Sequence, residues 1–289
     1  MMNSVAPVWD GNETWLVLGG GGLFAVFPLA YSIIMPALYM PITLMLLALV
    51  FRGVAFEYRW RTKRWKGVWD VAFTGGSAMA AFMQGIALGA LVQGIDVTDR
   101  AYTGGWWDWL TPFSVLTGLA VLVGYALLGA TWLVMKTEGA LQMQMRNYAW
   151  YLAAGTLGAI GLVSLLTPFQ DPVYFERWFS MPGSLFTVFV PLLVAGTAWL
   201  LLTGLTDGRD VQPFVSALAL FAISFVGIGI SFYPYIVPPS VTIWAAAAPD
   251  SSLGFALVGT VVLVPLILGY TAYAYYVFRG KIDPNAGYH

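Results

Sequence analysis

The chain is predicted to be an all-α integral membrane protein with about seven transmembrane helices, and three features of its sequence point there. Mean hydropathy is +0.76, and hydrophobic residues make up 59% against 9% charged, more apolar surface than a soluble domain can hide. Apolar stretches of about 20 residues, the length that crosses a hydrocarbon core, recur along the whole length. Lys and Arg fall almost wholly in alternate loops, as the positive-inside bias of multi-pass proteins requires.

In chain order, the first apolar stretch runs from Leu16 to Phe51 and is too long for one helix. Gly19 to Gly22, Pro28, Pro36 and Pro41 interrupt it, so it reads as an irregular lead-in feeding one span at roughly Phe24 to Phe51. Further spans follow at Trp69 to Val92, Phe113 to Met135, Tyr148 to Leu166, Leu185 to Leu205, Phe214 to Tyr233 and Leu253 to Phe278. The segments between them are too short for a separate domain, so residues 1–289 form a single transmembrane domain. Gln93 to Pro112, Thr167 to Gly183 and Tyr235 to Ser252 are the longer loops, rich in Asp, Pro and Trp. Eight tryptophans, among them Trp60, Trp65, Trp106 and Trp107, fall at proposed interfaces, where an amphipathic ring prefers to sit.

Orientation follows from charge. Arg52, Arg59, Arg61, Lys63, Arg64, Lys66, Lys136, Arg146, Arg209, Arg279 and Lys281 share one side, against Arg100 and Arg177 on the other. The first side is therefore cytoplasmic, and the C-terminus lies there. Seven spans would leave Met1 outside, although its short leader carries no basic residue and no signal-peptide pattern. A further N-terminal helix, giving eight spans, is expected for that reason.

Several chemistries are excluded. There is no Cys, so disulfides, thiol catalysis and Cys-ligated clusters are ruled out. The single His is His289, the last residue. No span can then supply the axial His of a haem, and metal sites built on His or Cys go with it. Net charge is −1 with no basic, aromatic-interleaved stripe, which points away from nucleic acid. Gly19 to Gly22 is not followed by Lys-Ser/Thr, so it is no phosphate loop.

The polar groups beside the spans are few. Asp10 and Glu13, in VWDGNETW, are three apart and share a helical face with Thr14. Neighbouring carboxylates split their pKa values and suit proton relay, while the same spacing also describes an N-cap with its capping-box partner. Arg52 opens RGVAFEYR, which contains Glu57. It could neutralise a buried carboxylate or simply anchor the end of a span. Gln84 lies mid-span, able to bond a quinone or, more commonly, a neighbouring helix.

The N-terminal stretch through FPLAYSIIMPALY, then FRGVAFEYR, FYPYIVPPS and VVLVPLILGYTAYAYYVFRGKI closely resemble subunit II of the cytochrome bd family of quinol oxidases. The glycine run and RGVAFEYR look most like its cyanide-insensitive branch. Family members begin with one more helix carrying an acidic motif, absent here, so the chain is expected to be an N-terminally truncated subunit II. The resemblance implies two four-helix-bundle halves paired with a subunit I that holds haems b and d, oxidises quinol and reduces O2 to water in the bacterial cytoplasmic (inner) membrane. Protons for water come from the cytoplasm and those of quinol leave outside, which builds a membrane potential. This chain would ligate no haem or metal, would line part of a proton path and contact lipid, and leaves open a bound quinone. Asp10 and Arg52 match the family motifs as proton-path positions, and Glu13 and Glu57 join them on proximity and charge. A proton-coupled secondary transporter is the alternative from another class, since proton-coupled carriers also show proline-broken spans beside a carboxylate.

Overall fold

The computed structural model describes residues 4, 5, 9, 11–181 and 183–282. Its helices are α1 (Gly11–Val26), α2 (Pro28–Ala37), α3 (Tyr39–Arg61), α4 (Lys66–Gln93), α5 (Pro112–Lys136), α6 (Gly139–Leu166), α7 (Pro172–Phe179), α8 (Ser184–Thr187), α9 (Phe189–Thr206), α10 (Gln212–Phe232), α11 (Ile243–Ala246) and α12 (Asp250–Val277). Among the described residues, seven of these helical segments are long and apolar enough to span: α3, α4, α5, α6 with its continuation to Phe169, α9, α10 and α12. Two small hairpins, Val97–Thr98 with Ala101–Tyr102 and Tyr235–Val237 with Val241–Thr242, lie in the loops at the end away from most of the basic residues.

Six of the seven expected spans fall where apolar length placed them. The first does not. Leu16 to Phe51 divides into three helices, with breaks at Phe27 and Leu38. Pro28 begins α2, where its fixed φ and missing N–H cost nothing, although Pro36 lies inside the same helix. The span proper is α3, which continues to Arg61, not Phe24 to Phe51. Arg52 therefore sits inside the helix, about 13 Å from its basic end at 1.5 Å per residue.

Met1, expected outside, lies beyond the described residues, but two contacts place the residues that follow it. The indole of Trp132, one turn before Lys136 on α5, donates to the Ser4 carbonyl at 3.3 Å, while Ala248 at the opposite end donates to the carbonyl of Val26 at 2.9 Å. The described N-terminal residues thus lie at the basic end, and α1, about 24 Å long, carries the chain to the far end. Among the described residues, α1 adds a shorter apolar helix to the seven that are long enough to span.

Two packed regions organise the helices. Leu127 and Ala130 of α5, Ala149 and Ala153 of α6, Leu201 and Leu205 of α9, and Ala217 and Leu220 of α10 form one core, so these helices make a four-helix bundle. The other half gathers α2, α3 and α4 with the far-end hairpins around Ala30, Ile33, Ile86 and Val237. Ala30, Ile33, Ile34 and Ala37 mark the buried stripe of α2 at helical spacing. Small residues let α4 approach both neighbours, as association inside lipid favours. A Cβ on Gly76 would lie 2.6 Å from the Ala48 carbonyl of α3, and one on Gly85 2.5 Å from the Thr117 carbonyl of α5. By contrast, α12 has no buried residue and meets the body of the chain along α1 and at its basic end.

Short α7 closes the far end. Asp171 caps it by accepting from Val173 N at 2.8 Å. The Tyr174 hydroxyl donates to the Val92 carbonyl at the end of α4, and Arg177 donates to the Ile230 and Ser231 carbonyls at the end of α10. Helix-terminal carbonyls lacking intrahelical partners are satisfied in this way. Burial pushes the Tyr174 phenol far above its ordinary pKa, with the Asp171 charge adding to it.

Candidate proton-path site

The N-terminus of α1 docks on α3 at three positions of one helical face. Arg52 Nη2 donates to the Trp9 carbonyl at 3.1 Å. Gly53 leaves room for the Trp9 indole, which would stand 3.6 Å from a Cβ there. One turn on, fully buried Phe56 stacks on the same indole, centroids 4.9 Å apart at 17°. Arg52 backbone atoms in turn press against Gly76 of α4. The guanidinium is thus placed by α1, α3 and α4 together.

Glu13, in the first turn of α1, completes the site. Its Oε1 lies 3.8 Å from Arg52 Nε, and the two side chains are 28% and 23% exposed. The helix N-terminus stabilises a carboxylate there by roughly 0.3–1 kcal/mol, and an ion pair this exposed contributes about 0–1 kcal/mol. The hydrogen bond to Trp9, from a charged donor, is worth about 1.5–3 kcal/mol and is the stronger tie. A carboxylate paired with a guanidinium well inside a span is an arrangement that hydrocarbon tolerates only when the charges offset each other.

Comparison with known proteins decides the family. The sequence model of cytochrome bd terminal oxidase subunit II matches residues 1–278. The chain belongs to that family. The cytochrome bd-I ubiquinol oxidase subunit 2 of Escherichia coli K12 is 32% identical, the match covering 98% of this chain and 84% of the relative. The cytochrome bd ubiquinol oxidase subunit 2 of Bacillus subtilis 168 is 28% identical over 98% of this chain and 85% of its own length. The solved bd oxidase of Geobacillus thermodenitrificans shares the fold, with a TM-score of 0.75 at 17% identity, covering 96% of this chain and 84% of that one. This subunit II is therefore part of a terminal quinol oxidase, and the relatives favour that reading over the solute carrier that composition alone allowed.

Within this subunit II the sequence-predicted residues divide. Arg52 and Glu13 come together. Asp10 lies outside the described residues, although its chain neighbour Trp9 is one of the groups that Arg52 holds. Glu57 is exposed, on another face of α3 and nearer the basic end, and no hydrogen bond or ion pair among the described residues joins it to the Arg52 site. Gln84 accepts from the Tyr125 hydroxyl of α5 at 3.0 Å, a helix contact. Gly19 to Gly22 are helical, and no described residue lies within 4 Å of a Cβ built on any of them. Among the described residues no three His, Cys, Asp or Glu side chains converge. The single His289 lies outside them.

Sequence reasoning missed the basic-end network. Arg146 of α6 donates to the carbonyls of Gly204, Leu205, Gly208 and Arg209 and to the Asp210 carboxylate. Lys281 donates to Asp210 Oδ2 at 2.6 Å and the Thr137 carbonyl at 2.9 Å. Read as topology charges, these cations also cap helix C-termini. Arg146, seven residues after α6 begins, was the one signal that more than a loop charge was present.

Proposed function

We propose that this chain is the haem-free partner of a subunit I carrying haems b and d, and that Asp10, Glu13 and Arg52 form part of the route by which cytoplasmic protons reach the oxygen-reducing centre. The observation that carries this reading is the pairing of Glu13 with Arg52 about 13 Å inside the span. A cation that far from either end does nothing for topology that Arg59 and Arg61 do not already do. Next to a carboxylate it holds negative charge where a proton can be taken up, with Glu13 Oε1 3.8 Å from Arg52 Nε. Exposed Glu57, nearer the basic end, suits the collecting position. The positive-inside bias puts that end in the cytoplasm of a bacterial inner membrane. Quinol as electron donor is supported by the relatives, which are named as ubiquinol oxidase subunits.

The test uses the assembled oxidase. Glu13→Gln and Asp10→Asn should lower quinol-dependent oxygen uptake while the haem spectrum is preserved. Unchanged uptake in both, with haems intact, removes the relay and leaves a packing subunit.

A further inference from the structure

At the basic end, between the last turns of α5 and α12, lies a cavity of about 260 Å³ walled in part by Trp132, Lys136, Tyr275, Arg279 and Lys281. We propose that it binds a phosphate-bearing anion, the headgroup of an anionic glycerophospholipid.

Charge is the first reason. Three cations border the cavity, and among the described residues the one carboxylate that pairs with any of them is Asp210, which is shared by Lys281 and Arg146. Lys136 is 7% exposed, and its ammonium donates to the carbonyls of Phe278 at 2.7 Å and Gly280 at 3.3 Å. An ammonium has three protons, so one is left beyond these carbonyls, beside the Trp132 ring whose centroid lies 5.0 Å away. Gly280, three residues past the end of α12, sits at φ +98°, a conformation that L side chains rarely adopt. Arg279 packs its guanidinium 3.9 Å from the Tyr276 ring centroid and makes no side-chain hydrogen bond among the described residues. Its planar fork is free to take phosphate oxygens in the bidentate manner that suits it.

Shape and surroundings narrow the ligand. The volume falls below the roughly 300–1,000 Å³ of sites for drug-sized molecules, which fits a headgroup or a small anion and not a nucleotide. Trp132 and Tyr275, with centroids 6.2 Å apart, are the residue types that sit at headgroup level. The apolar surface of α12, on which no residue is fully buried, continues from the cavity into the membrane, where acyl chains can lie along its side away from α1. Basic pockets between helix ends are a known chemistry for lipid phosphates.

The experiment takes the assembled, delipidated oxidase. Retained phosphatidylglycerol is counted by mass spectrometry after washing, and inorganic phosphate is titrated at constant ionic strength while melting is followed. Arg279→Gln should retain phosphatidylglycerol about fivefold less well, from the roughly one unit of binding energy that a single interfacial cation supplies. Arg279→Lys should recover part of it, and Arg209→Gln, away from the cavity, should match the parent. A phosphate-induced melting shift that depends on Arg279 without lipid retention would assign the same site to a soluble anion. Retention and melting that are both indifferent to Arg279→Gln overturn the proposal.

Discussion

Replacing Arg52 by Gln removes the group that holds the start of α1. The lost hydrogen bond to Trp9 is worth about 1.5–3 kcal/mol, and the lost pairing with Glu13 up to about 1 kcal/mol at this exposure. Together they amount to about 1.5–4 kcal/mol. At 1.4 kcal/mol per decade, local detachment of the segment around Trp9 and Glu13 becomes roughly 10- to 700-fold more frequent. Hydrogen exchange on the purified oxidase reads this directly: amides near Glu13 should exchange faster by that factor, while those of Leu127 and Leu220 in the distant core keep their rates. Oxygen uptake with quinol should fall at least tenfold with the haem spectrum unchanged. Arg52→Lys, which keeps the charge without the fork, should lie between. Exchange near Glu13 that stays at the parent rate in Arg52→Gln would refute the docking role, and undiminished uptake would refute the proton role.

Other outcomes follow from the same contacts. Gly85→Val would set a Cβ 2.5 Å from the Thr117 carbonyl and 2.7 Å from Gly118 Cα, backbone that cannot turn aside. It should cost about 1–3 kcal/mol or more and lower the melting temperature, while Gly129→Ala, with no described neighbour within 4 Å, should not. Burial raises the pKa of Asp210, but its hydrogen bond and charge interaction with Lys281, helped by Gln142 and Arg146, outweigh burial and hold it below the ordinary carboxylate value. A depressed folded-state pKa contributes stability that is present above the unfolded value, about 3.9, and fades as pH falls through the folded one. Asp210→Asn should therefore destabilise the basic end at neutral pH and flatten the loss of melting temperature on acidification below about pH 4. Glu57→Gln should change oxygen uptake about twofold or less, because an exposed collecting group is readily replaced by bulk water. A loss as large as that of Glu13→Gln would place Glu57 within the path itself.

The sequence by itself determined what the membrane imposes. Hydrocarbon requires every span to be long, apolar and internally hydrogen-bonded, so six spans, the loops between them and the sidedness of the basic residues were legible in composition and order. The lack of Cys and the single terminal His bounded the chemistry for the same reason, since ligand types can be counted without coordinates. Only tertiary structure decided where the first span lies, because Leu16 to Phe51 is apolar throughout and proline marks a break without saying how the pieces reconnect. It also decided that Arg52 is an interior cation facing Glu13 rather than a terminal anchor, that Gln84 is spent on Tyr125, and that Lys136 and Arg279 wall one cavity. Each of these joins residues dozens to more than a hundred positions apart. Helical periodicity relates only neighbours a few residues away, and the hydrophobic pattern inside a bilayer cannot distinguish a face turned to lipid from one turned to another helix.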